Sequence, residues 1–94
     1  MIENDNIRPF VRMIAEGAES TLRRNDSKPA WESQLYSEVF AKVFEEQGEF
    51  LEALYEQDDE AVVREGFDLI LATAMLMTKH GFGSREWQRG KEEK

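Results

Sequence analysis

Two stretches joined by a short polar break decide the fold: VFAKVFEEQGEFLEALYE at residues 39–56 and AVVREGFDLILATAMLMTK at residues 61–79. Apolar residues recur in both at every third or fourth position, which predicts two amphipathic helices. The break contains Asp58 and Asp59, and either could cap the second helix. Because helices joined by so short a break are usually antiparallel neighbours, the sequence predicts a helical hairpin.

The flanking sequence adds helical segments on both sides of this hairpin. Pro9 suits the first turn of a preceding helix, and Phe10, Ile14 and Ala18 form its apolar face. Gly81 is placed for a left-handed cap at the end of the hairpin. We predict an all-α fold with main helices at 7–24, 31–56 and 59–79 or 59–80, and a short C-terminal helix that begins near residue 84.

The composition limits the function of the chain. It has 94 residues, a net charge of −8 and no cysteine, which predicts one domain spanning 1–94 without disulfides or thiolate metal sites. Acids outnumber bases 20 to 12, so we expect no nucleic-acid polymer as partner. The longest apolar stretch is too short to cross a bilayer, and we expect a cytoplasmic protein without a membrane partner. The charged tail, 88–94, is expected to fray.

Four carboxylates in the hairpin form a pattern that could carry chemistry. Glu46 and Glu49 are spaced i, i+3 on the first helix, and Glu65 and Asp68 have the same spacing on the second. Both pairs lie about nine or ten residues from the break, or roughly 14 Å along each helix. The two pairs should therefore face each other at one level of the hairpin.

Two interpretations of these carboxylates stay open at this point. With 20 acidic residues in the chain, they could be ordinary exposed helix charge. However, Glu46 and Glu65 each occupy a position where the apolar stripe predicts a buried residue. Buried like charges are costly unless something compensates them. Mg²⁺ and Mn²⁺ prefer oxygen ligands and could supply that compensation.

The motifs around these carboxylates resemble a known enzyme group. The run KVFEEQGEF at 42–50 resembles the EExxE motif of MazG-like pyrophosphohydrolases, and REGFDLIL at 64–71 resembles their ExxD motif. The likeness covers about 36–81, the motif core. The same segment is similar to phosphoribosyl-ATP pyrophosphohydrolase, a member of the same superfamily, although we find no match to that enzyme's upstream Ser-Tyr-Thr segment.

The resemblance implies a function and a set of site residues. It implies Mg²⁺-dependent cleavage of a nucleoside triphosphate to a monophosphate and pyrophosphate, with phosphoribosyl-ATP as the alternative substrate. The metal ligands would be the four carboxylates, Glu46 or Glu49 would orient or deprotonate the water, and the substrate would contact further residues. These substrate-binding candidates are Trp31, Lys42 and Lys79.

The resemblance also implies that the protein is a homodimer or homotetramer built around four-helix bundles. A chain this short buries little surface by itself, which agrees with assembly. One alternative from a different class remains: a helical oligomerisation module without catalysis, whose apolar stripes only pack an assembly. That alternative predicts no stabilisation by Mg²⁺, whereas an enzyme that binds metal should be stabilised by it.

Overall fold

A computed structural model describes residues 6–25 and 33–82 of the chain. Within these ranges it has three α-helices and no strand: α1 (Pro9–Arg24), α2 (Tyr36–Glu56) and α3 (Asp59–Lys79). The prediction of an all-α fold with three main helices is therefore confirmed for this part of the chain. The C-terminal helix predicted near residue 84 and the tail 88–94 lie outside the described residues.

The hairpin of α2 and α3 forms as predicted. α3 packs extensively against α2 and more lightly against α1, so α3 is the central helix. Asp58 caps α3, since its carboxylate accepts a hydrogen bond from the backbone N–H of Ala61 over 3.2 Å. α2 ends where Gln57 adopts a left-handed conformation, with φ of 57°. Asp58 N–H then donates to the carbonyl of Ala53, which closes a tight turn between the helices.

Two predicted helix starts are wrong. α1 begins at Pro9 rather than at about residue 7, and α2 begins at Tyr36 rather than at about residue 31. Residues 33–35, which we expected inside the second helix, precede α2. The backbone of Leu35 is extended, and its N–H donates to the carboxylate of Glu38 over 2.8 Å. A glutamate in the first turn that accepts this bond is half of a capping box, and it starts the helix one residue after Leu35.

The far end of the hairpin is closed by contacts between the end of α3 and the start of α2. Gly81 takes a φ of 100°, as predicted for a left-handed cap, and the following Phe82 donates to the carbonyl of Met77. Tyr36 Oη lies 2.7 Å from Nε2 of His80, and Lys79 Nζ donates to the carbonyl of Gln34 over 2.6 Å. The contacts of Tyr36 and Lys79 join the end of α3 to the start of α2 and to the segment just before it.

The buried core is small and made of small side chains. On α2 the buried residues are Val39, Glu46 and Ala53, spaced by seven, which is two turns and therefore one face. On α3 they are Ala61 and Ala72. The apolar face predicted for α1 is only partly buried, since Phe10 is exposed whereas Ile14 and Ala18 are half-buried. Leu35 before α2 and Leu51 and Leu54 within it are also exposed.

Two glycines allow the helices to approach each other. A side chain at Gly17 would overlap the ring of Phe67, and one at Gly66 would meet the ring of Phe50 at 3.3 Å. The first contact seats α1 on α3, and the second brings α2 close to α3 beside Glu65. None of the described helices is both long enough and apolar enough to cross a membrane.

Candidate metal centre

Three of the four predicted carboxylates come together between α2 and α3. Glu46, Glu49 and Glu65 each offer an oxygen, and these three oxygens lie within 4.8 Å of one another. Glu46 is buried, Glu65 is half-buried and Glu49 is exposed. The group therefore extends from the interior of the hairpin to solvent, at the level that the sequence predicts. Hereafter we call these three residues the glutamate cluster.

Asp68 borders the cluster without joining the tightest group. It is half-buried, one turn after Glu65 on the same face of α3. Its negative charge is one of the influences that raise the pKa of Glu65, which places it electrostatically in the same site.

Burial raises the pKa of Glu65 above its ordinary value. A hydrogen bond with Glu49 and the charge of Glu49 raise it further, the charge of Asp68 adds to this, and the charge of Arg64 opposes it. Burial, Glu49 and Asp68 thus disfavour the charged form of Glu65, and only Arg64 favours it. In the metal-free protein Glu65 therefore holds its proton more tightly than an isolated glutamate does.

The buried oxygens of the cluster show that its compensation is incomplete. Among the residues that the structure describes, two buried side-chain oxygens have no hydrogen-bond partner, and both belong to the cluster: Oε2 of Glu46 and Oε2 of Glu65. A buried polar atom without a partner costs about 1–3 kcal/mol, and native structures contain few of them. Their place in the cluster indicates that something else completes the site.

The other carboxylate oxygen of Glu46 and of Glu65 is paired with a basic side chain. Lys42 Nζ lies 3.4 Å from Oε1 of Glu46, and Arg64 Nε lies 3.6 Å from Oε1 of Glu65. The interpretation of these glutamates as merely solvated surface charge is therefore wrong for Glu46, whose side chain is 7% exposed. Glu49 is exposed, but its carboxylate belongs to the same cluster.

The donor set fits a hard divalent cation. Every donor is a carboxylate oxygen, the preferred ligand of Mg²⁺ and Mn²⁺, and a cation between Glu46 and Glu65 would give both Oε2 atoms a partner. The exposure of Glu49 leaves one side of the site open to solvent and to a substrate. The arrangement could hold a cation that faces an anionic ligand.

The predicted substrate-binding residues lie in different places. Lys42 is beside the cluster, where its ammonium pairs with Glu46. Lys79 donates to the carbonyl of Gln34, and it lies eleven residues beyond Asp68, or about 16 Å along α3. Trp31 lies outside the described residues.

The ion pair between Lys42 and Glu46 is a feature of the site that the sequence spacing could have predicted. Lys42 and Glu46 are spaced i, i+4, the separation at which helical side chains of opposite charge meet. From the sequence we predicted only that Lys42 contacts the substrate, which stays a prediction, and the structure shows its ammonium against Glu46.

Comparison with known proteins shows the family to which the chain belongs. The family model described as phosphoribosyl-ATP pyrophosphohydrolase matches residues 14–87, a range that contains α2, α3, the glutamate cluster and Asp68. No curated protein and no solved structure gives a significant match. The chain therefore belongs to the phosphoribosyl-ATP pyrophosphohydrolase family, within the MazG-like superfamily of all-α nucleotide pyrophosphohydrolases.

Proposed function

We propose that the protein is a divalent-metal-dependent pyrophosphohydrolase whose preferred substrate is phosphoribosyl-ATP. Water would cleave the bond between the α- and β-phosphates and release phosphoribosyl-AMP and pyrophosphate. The family match favours this substrate over an ordinary nucleoside triphosphate. The single observation that carries the proposal is the glutamate cluster, in which two buried carboxylate oxygens lack a partner.

The chain's own residues have distinct roles in this proposal. Glu46 on α2 and Glu65 on α3, whose Oε2 atoms lack a hydrogen-bond partner, would hold the cation between the two helices. Glu49 and Asp68 would provide the remaining carboxylate ligands. The cation, when bound, supplies charge neutralisation for the phosphates and makes a nearby water more acidic. Glu49 is the best-placed base for that water, because it is the exposed member of the cluster and Glu46 is enclosed.

Assay of several nucleotide substrates tests this function. It also separates it from the two alternatives, which are hydrolysis of ordinary nucleoside triphosphates and a helical module without catalysis. Purified protein with Mg²⁺ should release pyrophosphate from phosphoribosyl-ATP with a higher kcat/KM than from any common nucleoside triphosphate, and a chelator should abolish the release. Preference for an ordinary triphosphate would transfer the assignment to general MazG-like hydrolysis, the alternative that the lack of a match to the Ser-Tyr-Thr segment leaves open. No pyrophosphate from any substrate, together with no stabilisation by Mg²⁺ or Mn²⁺, would support the non-catalytic module.

We also propose that the protein works as a homodimer or homotetramer that packs through α2. One face of α2 carries a stripe of exposed apolar side chains, in which four aromatic residues and one leucine are spaced by four residues, or by seven across Gly48. These residues are Tyr36, Phe40, Phe44, Leu51 and Tyr55. Gly48 lies in the middle of this stripe, and a side chain there would meet nothing within 4 Å. An apolar stripe with a gap at its centre suits close packing against another helix, such as α2 of a second copy.

Replacement of Phe44 by Glu should separate the copies. Phe44 is 61% exposed in the single chain, so the change costs little within one molecule, but it would bury a charge in the assembly, which costs several kcal/mol. Sedimentation velocity should show a dimer or tetramer for the wild type and a monomer for Phe44→Glu. The matched control is Met13→Glu, an equally exposed apolar position on α1, which should keep the assembly. A monomeric wild type would refute the proposed assembly.

A further inference from the structure

The cation nearest to the buried Glu46 is supplied by the chain itself. Lys42 lies one turn before Glu46 on α2, and its Nζ is 3.4 Å from Oε1 of Glu46. The Lys42 side chain is 47% exposed, whereas that of Glu46 is 7% exposed. The ammonium therefore stands at the boundary between the interior and solvent, in contact with the carboxylate that is enclosed most completely.

This contact differs from the other ion pair of the cluster. Arg64 is the neighbour of Glu65 in the sequence, and its Nε lies 3.6 Å from Oε1 of a carboxylate that is 18% exposed, whereas the carboxylate that Lys42 meets is 7% exposed. Lysine carries a compact charge on a flexible four-carbon stem, and the half-exposed stem of Lys42 can turn away into solvent. Lys42 can therefore leave Glu46 without a change in the backbone.

A divalent cation at the cluster would compete with this ammonium. The two positive charges would both act on the carboxylate of Glu46, a few ångströms apart in a partly dry environment, where like charges repel strongly. An anionic phosphate, in contrast, would attract the ammonium, because lysine binds phosphate oxygens as a point charge. Cation binding thus favours movement of Lys42 from Glu46 towards the open side of the site.

We propose that Lys42 is an exchangeable counter-ion: it neutralises Glu46 in the metal-free protein, is displaced by the divalent cation, and then pairs with a phosphate of the substrate. The inference rests on the proposed metal-dependent function and deepens it. It makes Lys42 both a competitor of the metal and a partner of the nucleotide. The two roles predict opposite effects when the charge is removed.

Lys42→Met should tighten metal binding and weaken nucleotide binding. In the absence of nucleotide, removal of the competing charge should lower the Kd for Mn²⁺ roughly threefold to fivefold, the range expected for loss of one partly exposed ion pair. The metal-free variant should melt a few degrees lower than the wild type. At saturating Mg²⁺, the KM for the nucleotide should rise by roughly tenfold, as expected when a charged hydrogen bond is lost.

The experiment is an Mn²⁺ titration of the full chain by calorimetry and electron paramagnetic resonance, followed by steady-state kinetics with Mg²⁺. Lys42→Gln provides a second neutral variant, and Lys42→Arg keeps the charge and should bind Mn²⁺ much as the wild type does. The matched control is Arg23→Met, which breaks an exposed i, i+4 pair with Glu19 on α1 and should change neither constant.

The outcomes separate this inference from the function on which it rests. Tighter Mn²⁺ binding together with a higher KM in both neutral variants supports the exchange. Unchanged or weaker Mn²⁺ binding in Lys42→Met and Lys42→Gln, while the wild type binds Mn²⁺, would overturn the exchange alone. Absence of Mn²⁺ binding by the wild type would overturn the metal centre itself, and the exchange with it.

Discussion

Glu46→Gln should reduce Mg²⁺-dependent pyrophosphate release by roughly a hundredfold or more. Loss of a residue that only orients a metal ligand typically costs 10–100-fold, and Glu46 is proposed to be a ligand itself. Glutamine keeps the shape of the side chain but removes the charge that binds the cation. The measurement is kcat/KM for pyrophosphate release at several Mg²⁺ concentrations, because a weakened metal site should be partly rescued at high Mg²⁺.

The matched control for this variant is Glu45→Gln. Glu45 is the adjacent residue and is exposed, so its replacement removes one charge from the same turn without touching the cluster. It should keep kcat/KM within about twofold of the wild type, as expected for a surface change. The kcat/KM of Asp68→Asn should lie between those of Glu46→Gln and Glu45→Gln, since Asp68 borders the cluster rather than joining it. Full activity in Glu46→Gln would contradict the proposed centre.

Glu65→Gln should make the metal-free protein more stable near neutral pH and remove its response to metal. The folded protein disfavours the charged form of Glu65, as its raised pKa indicates, and glutamine removes that charge. The wild type at 100 times its Kd for Mg²⁺ should gain about 2.7 kcal/mol of unfolding free energy. Most of this gain should disappear in the variant. Chemical denaturation with and without chelator measures both effects.

The difference in unfolding free energy between the wild type and Glu65→Gln should also depend on pH, in a direction that can be checked. Between the ordinary pKa of 4.5 and the raised pKa, the folded protein binds the Glu65 proton and the unfolded chain does not. The contribution of Glu65 to the unfolding free energy is therefore full below 4.5 and is lost as pH rises through the raised pKa. With Mg²⁺ the trend reverses, because the cation binds only the ionised carboxylate.

The control for this comparison is Glu52→Gln, an exposed glutamate in the middle of α2. The difference in unfolding free energy between the wild type and Glu65→Gln should change over the stated pH window, and by more than the corresponding difference for Glu52→Gln, whose carboxylate is outside the cluster. Metal-free stability that is the same for Glu65→Gln and the wild type across this window would show that the charge of Glu65 carries no penalty.

Much of the fold could be predicted because it depends on local rules. The spacing of apolar residues predicts α2 and α3, Asp58 caps α3 as its side chain allows, and Gly81 ends it in the left-handed conformation. The start of α2 was predicted too early, because a tryptophan and a serine upstream do not by themselves prevent a helix. The bond from Leu35 N–H to Glu38 settles that boundary.

The candidate site could be predicted in its residues but not in its internal pairing. Equal distances of the two carboxylate pairs from the turn place them at one height, which needs only the rise of a helix and a short connection. Which oxygen of Glu46 faces Lys42 and which remains without a partner depends on side-chain conformations that no periodicity encodes. The outward position of Phe10 likewise depends on how far α1 extends along α3.

The sequence by itself determined that this chain folds as a helical hairpin with an additional helix and carries four carboxylates at matched heights, because helix periodicity and capping act over a few residues. Only the tertiary structure decided that Glu46 is enclosed while Glu49 reaches solvent, and that Lys42 rather than solvent faces Glu46. Those properties depend on how deeply each side chain lies between α2 and α3. That depth is set by packing between residues distant in the chain, such as Phe50 against Gly66.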